Sequence, residues 1–160
     1  MFRNFALLLL VAAIVSLGAC DTDREGVLAP LGSSTITVGA VEMTLFTDRT
    51  VYEVTDLVTM QIRITNVGGD LLAVDTGNVD FEVTTPSGDV VFGRAADGTP
   101  PDPPSFVGSL ATDEATLEEF VWNQGDAAGN IVQAGFFLVR GTYSAPGEPT
   151  ITRTLQIELI

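Results

Sequence analysis

From Thr35 to the end of the chain, apolar and polar residues alternate with a period of two almost everywhere. That rhythm restricts the fold more than any other feature, because an extended strand sends successive side chains to opposite faces. Val58, Met60, Ile62 and Ile64 alternate with Thr59, Gln61, Arg63 and Thr65, the pattern of a strand buried on one side. Asn66-Val67-Gly68-Gly69-Asp70 is turn chemistry, and a short apolar strand from Leu71 to Val74 follows it. Val79, Phe81 and Val83 alternate with Asp80, Glu82 and Thr84. Pro86-Ser87-Gly88-Asp89 then turns the chain back into Val90-Val91-Phe92, which predicts a hairpin. Further strands are expected over Ala115 to Trp122, around Phe137 to Gly141 and over Ile151 to Ile160, with a turn at Gly125 to Asn130. No stretch beyond Cys20 keeps a helical period over three turns. Seven or eight short strands between turns predict an all-β fold, an immunoglobulin-like antiparallel β-sandwich over residues 35–160.

Residues 1–19 follow a different rule. Arg3 is their only charge, an apolar run extends from Phe5 to Val15, and the small residues Ser16, Gly18 and Ala19 come after it. This is the layout of a secretory signal peptide. The run is too short to span a bilayer, which takes about 20 apolar residues. Its ending, Leu17-Gly18-Ala19-Cys20, resembles the bacterial lipobox, in which the cysteine thiol receives diacylglycerol and becomes the first residue of the mature chain. A thiol suits that step because it is a soft nucleophile that forms a stable thioether. Cys20 is the sole cysteine, so no disulfide partner exists within the chain, and a free thiol in an exported protein would invite stray oxidation. The resemblance implies lipidation at Cys20 and a membrane as partner, held through acyl chains whose methylenes contribute about 0.8 kcal/mol each. Asp21 resembles the inner-membrane retention signal of enterobacterial lipoproteins. The implied location is therefore the cell envelope, lipid-anchored and periplasm-facing, with the inner membrane favoured. Residues 20–34 mix charges with Gly26, Pro30 and Gly32 and read as a tether.

Charge narrows the function. The formal net charge is −14, one unit more negative once Arg3 is removed, and every basic residue is arginine. Such a surface repels phosphate backbones, so a nucleic-acid partner is not expected. It also repels anionic headgroups, which leaves anchoring to the lipid. There is no histidine, which removes Ser-His-Asp and Cys-His nucleophilic sites and zinc sites of the histidine type. No metal or cofactor is expected. Asp75-Thr76-Gly77-Asn78-Val79-Asp80 spaces oxygens faintly like a calcium loop but lacks the glycine placement and distal glutamate of an EF-hand. It reads as a turn in which Asp and Asn cap their own backbone. Asp113-Glu114 and Glu118-Glu119 offer adjacent carboxylates, but neighbours on a strand face opposite ways. An enzyme is therefore not expected.

Several strand ends together resemble the BsuPI-type domain, named for an intracellular proteinase inhibitor of bacilli. They are Tyr52 with Asp56, Ile62-Arg63-Ile64-Thr65-Asn66, Phe81 with Pro86-Ser87-Gly88-Asp89-Val90-Val91, Phe120-Val121-Trp122-Asn123, Gly129-Asn130-Ile131-Val132 and Gly135-Phe136-Phe137-Leu138-Val139-Arg140-Gly141. The resemblance covers about residues 42–160 and implies an immunoglobulin-like sandwich, with proteinase inhibition as the activity of the namesake. The family's Gly-x-Tyr stands here as Gly135-x-Phe137, without the hydroxyl of a tyrosine corner. Phe120 and Trp122, facing the same way, are expected in the core. Asp97, Thr99, Pro100, Pro101, Asp102, Pro103 and Pro104 form the candidate partner-binding loop, since a pre-ordered polyproline backbone loses little entropy on binding. The same composition also suits a rigid bridge between two sheet edges. The expected function is a membrane-anchored lipoprotein whose sandwich is a non-catalytic protein-interaction module in the envelope. The alternative is a proteinase inhibitor acting through that loop, with a protease as the protein partner.

Overall fold

The computed structural model describes residues 32–93, 106–144 and 149–160. Cys20, the chain ahead of Gly32 and the candidate loop Asp97, Thr99, Pro100, Pro101, Asp102, Pro103 and Pro104 lie outside the described residues. The fold is all-β, an immunoglobulin-like sandwich. One sheet runs β1 (Gly32–Val38), β2 (Val41–Thr47), β4 (Val58–Asn66), β9 (Ala115–Trp122). The other runs β3 (Val51–Tyr52), β11 (Ile151–Leu159), β10 (Gly135–Tyr143), β6 (Val79–Thr84), β7 (Val90–Gly93). A separate ribbon pairs β5 (Leu72–Asp75) with β8 (Val107–Leu110). Pairing is antiparallel throughout except where β3 joins β11 in parallel.

The described residues form eleven strands, more than the seven or eight that alternation predicts. The additions are short or weakly punctuated. The first strand starts at Gly32, three residues ahead of Thr35, and reverses at Gly39, which takes a left-handed φ of 58°. Asp113 and Glu114 are also placed differently from expectation. They sit in the turn between β8 and β9 rather than on a strand, with Asp113 at φ 64° and the Glu114 carboxylate accepting from the Ala111 N–H at 2.8 Å. The 75–80 segment behaves as turn chemistry, with Asp75 Oδ1 accepting from the Gly77 N–H at 2.9 Å ahead of a 3₁₀ turn over Thr76–Asn78.

The inner faces interlock where the alternation places them. Met43, Leu45, Ile62 and Ile64 from one sheet meet Phe81, Val83, Val139 and Ile157 from the other, all buried. Trp122 plugs one end of this layer. Its ring meets Phe137 edge-on at 5.7 Å and Phe92 at 6.1 Å, and Phe120 packs on Phe81 at 4.4 Å. At mid-layer the sheets approach so closely that a Cβ on Gly141 would lie 2.6 Å from Ile62 Cδ1.

Phe137 fills the core without a polar handle, and Tyr52 does the pinning instead. Its buried hydroxyl donates to Asp48 Oδ1 at 2.7 Å and accepts from the Arg49 N–H at 3.1 Å. Asp48 Oδ1 also takes the Thr59 N–H at 3.1 Å, which ties the β2–β3 turn to the start of β4. Burial, aided by the bond to Asp48, pushes the Tyr52 pKa well above the ordinary phenol value. Folded Tyr52 thus keeps its proton where the unfolded chain releases it. The resulting stabilisation is complete below about pH 10 and is lost as pH rises through the raised folded value. Tyr143, whose hydroxyl is also buried and whose pKa burial likewise raises, contributes the same sign. Tyr52→Phe should therefore melt lower at pH 7, by about 1–2 kcal/mol of lost hydrogen bonding, yet lose less of its remaining stability between pH 9 and 12. Thermal melts across that range check this, and parallel profiles for the two proteins would contradict it.

Candidate functional site

Two loops at the Trp122 end build a concave feature among the described residues. The β6–β7 turn is fixed by its own side chains. Gly88 takes φ 95°, the Ser87 hydroxyl donates to Asp89 Oδ2 at 2.8 Å, and the Asp89 N–H reaches Thr85 Oγ1 at 3.1 Å. The β9–β10 loop is held more elaborately. Trp122 Nε1–H donates to the Gly125 carbonyl at 2.8 Å, Gly125 bridges Ile131, and the Val132 N–H donates to the Gln124 carbonyl at 2.8 Å. The Asp126 carboxylate accepts from the Asn130 and Ala128 N–H groups at 2.8 and 2.9 Å. The Asn130 backbone bond leads in holding the Asp126 pKa below the usual carboxylate range, so it stays ionised at neutral pH.

Gln124 is the keystone. It is fully buried at φ 61°. Its Oε1 accepts from the Thr55 N–H and its Nε2 donates to the Glu53 carbonyl, both at 2.8 Å. Thr55 itself lies at φ 85°, a conformation that costs a β-branched residue about 1–3 kcal/mol and persists only where the surroundings enforce it. Two strained residues on separate loops thus hold each other. Sequence reasoning identifies the 125–130 turn but gives Gln124 no role, because nothing local in Asn123-Gln124-Gly125 signals a partner so far away in the chain.

Between these loops lie two contiguous hollows of about 570 and 260 Å³ that share Val91 and Asp126. The larger is walled by Pro86, Ile131, Val132 and Phe136, with Ile131 46% and Phe136 50% exposed. Among the described residues, Asp126 is the one charged residue lining either hollow. The site is thus a preformed apolar groove with a fixed negative charge at Asp126. Of the residues predicted from sequence, Cys20 and the proline-rich loop cannot be placed against it, being outside the described residues. Among the described residues no three His, Cys, Asp or Glu side chains converge as a metal site.

No family model and no curated protein matches the chain. Several solved structures are similar to it. One is the CARDB domain of the PF1109 protein from Pyrococcus furiosus in complex with di-metal ions, 15% identical, with 79% of this chain and 95% of that one covered at a TM-score of 0.45. The C-terminal domain of Wzt covers 82% of this chain and 81% of its own at 7% identity and TM-score 0.45. A Paenibacillus cycloisomaltooligosaccharide glucanotransferase is 17% identical at TM-score 0.48 over 76% of this chain but only 14% of the enzyme.

Proposed function

We propose that the chain is a lipid-anchored envelope protein whose sandwich is a non-catalytic interaction module, taking an apolar side chain flanked by a basic residue of a protein partner. The observation that carries this reading is the groove itself. Ile131 stays exposed on a loop that Gln124, Thr55 and Trp122 hold rigid, and Phe136 stays exposed at the start of β10, so little conformational entropy is lost on docking. The ionised Asp126 at its rim selects a cationic neighbour.

Anchoring rests on Leu17-Gly18-Ala19-Cys20. The chain enters the sandwich at Gly32, opposite Thr47, at the end that also carries the groove. Fully extended, the stretch from Cys20 to Gly32 spans about 40 Å at most, so lipidation would hold the groove near the membrane surface. The partner would then be a membrane-associated protein. Proteinase inhibition is the second reading; it rests on the resemblance of residues 42–160 to the BsuPI type.

A photo-crosslinking amino acid at Phe136, introduced in the full chain in its native envelope, tests the module. A discrete crosslinked protein that disappears on Ile131→Asp is expected. Unchanged crosslinking in that variant would refute the groove as the docking surface. Palmitate labelling lost on Cys20→Ala tests the anchor separately. Stoichiometric inhibition of a subtilisin by the same protein would favour the second reading.

A further inference from the structure

The free edge of β9 is a second surface, running back along the strand from the end that carries the groove. β9 pairs with β4 along one side, and along its other side no described strand pairs with it. An edge of this length presents a row of open backbone donors and acceptors. Its outward side chains include Leu117 and Val121, 47% and 48% exposed, with Glu119 between them. Its inward side chains are Thr116, Glu118, Phe120 and Trp122. Glu118 stands out among these. It is only 5% exposed, its neighbour across the ladder is the buried Ile62, and it has no hydrogen-bond or ion-pair partner among the described residues. Glu119, on the other face, bonds to Gln61.

Most of the Glu118 side chain is covered while its carboxylate stands at the open edge without a partner among the described residues, and the side chain best placed to meet it is one on a strand added to β9. Residues directly opposite in an antiparallel pair have Cβ atoms about 4.5–5.5 Å apart. Successive residues of the added strand would therefore stand beside Glu118 on the inner face and Glu119 on the outer one. A second copy of β9 cannot supply them. Opposed residues must share a face, so the two registers that pair most of the strand set Glu118 against Glu118 or Glu119 against Glu119.

We propose that the β9 edge accepts an extended segment of a partner protein, with two adjacent basic residues opposite Glu118 and Glu119 and apolar residues opposite Leu117 and Val121. Recognition is by strand addition. Backbone hydrogen bonds supply the pairing, and the two carboxylates fix register and exclude self-association.

The test uses the full-length protein in a non-ionic detergent and synthetic octapeptides alternating valine and threonine around a central Lys-Arg or Glu-Glu pair. The Lys-Arg peptide should bind at least tenfold more tightly than the Glu-Glu peptide and slow hydrogen exchange at alternate amides across 115–122. Glu118→Gln combined with Glu119→Gln should erase most of that preference, whereas Ile131→Asp in the groove should leave it intact. Equal binding of both peptides, or of neither, overturns the proposal. So does tight binding of the Lys-Arg peptide without protection of β9, which would mean that the acidic surface alone attracts it. The two peptides decide the matter on the unaltered protein even if the Glu118 variant fails to fold.

Discussion

Trp122→Ala should destabilise the domain by about 3–5 kcal/mol, the range for removing a large aromatic from a packed core. The indole is fully buried, meets Phe137 at 5.7 Å and Phe92 at 6.1 Å, and so contacts two strands of the opposite sheet. Its Nε1–H also holds the Gly125 carbonyl at 2.8 Å. Truncation thus leaves a void between the sheets and frees the loop that forms the groove. Trp122→Phe separates the two effects. It keeps much of the apolar volume but lacks the N–H, so it should lose less stability while still speeding hydrogen exchange through residues 125–132. Urea unfolding gives the stability difference, and a midpoint shift at constant slope identifies a change in stability alone. A Trp122→Ala loss below about 1 kcal/mol would show that the indole is not the plug of this core.

Alternation identifies Trp122 because a period of two assigns faces directly. Val58 to Thr65, Val79 to Thr84 and Ala115 to Trp122 are all legible for that reason, and all three lie on strands with one face in the core. What alternation cannot give is position within a sheet. Glu118 and Glu119 are correctly assigned to opposite faces from sequence. Their place on a free edge follows only from the strand order, which local periodicity does not encode. The β1–β2 hairpin is hard to see for another reason. Val38-Gly39-Ala40 carries a single turn residue, and β1 itself has little apolar content beyond Ile36 and Val38. Gln124 escapes for a third. Its partners Glu53 and Thr55 are brought to it by the packing of the two sheets, and a strained φ at Thr55 leaves no trace in composition. The groove is therefore a product of tertiary structure, whereas the core beneath it is written locally.

Asn66→Ala should cost nearly as much as loss of the tryptophan, about 3 kcal/mol, although it removes no apolar packing. Asn66 ends β4 and is fully buried. Its Nδ2 donates to the Asp70 carbonyl at 2.7 Å and to the Leu110 carbonyl at 2.9 Å, while Oδ1 accepts from the Gly68 N–H at 2.9 Å. One side chain thereby joins the β4–β5 turn to the end of β8. Alanine leaves these backbone groups without their partner, and each buried group left unsatisfied costs about 1–3 kcal/mol. Asn66→Asp distinguishes hydrogen bonding from shape, because it is isosteric. At pH 7 its carboxylate would face two carbonyl oxygens with no proton to offer, so it should be at least as destabilising as alanine. The same apposition raises the folded pKa of the introduced acid above its unfolded value near 4. Protonation restores one donor, so part of the lost stability should return as pH falls through that raised value, the opposite trend to an ordinary paired aspartate. Urea unfolding of both variants at pH 7 and at about pH 4.5 measures this. An Asn66→Asp protein as stable as the parent at pH 7 would mean that the amide donors do not hold this end of the sandwich together.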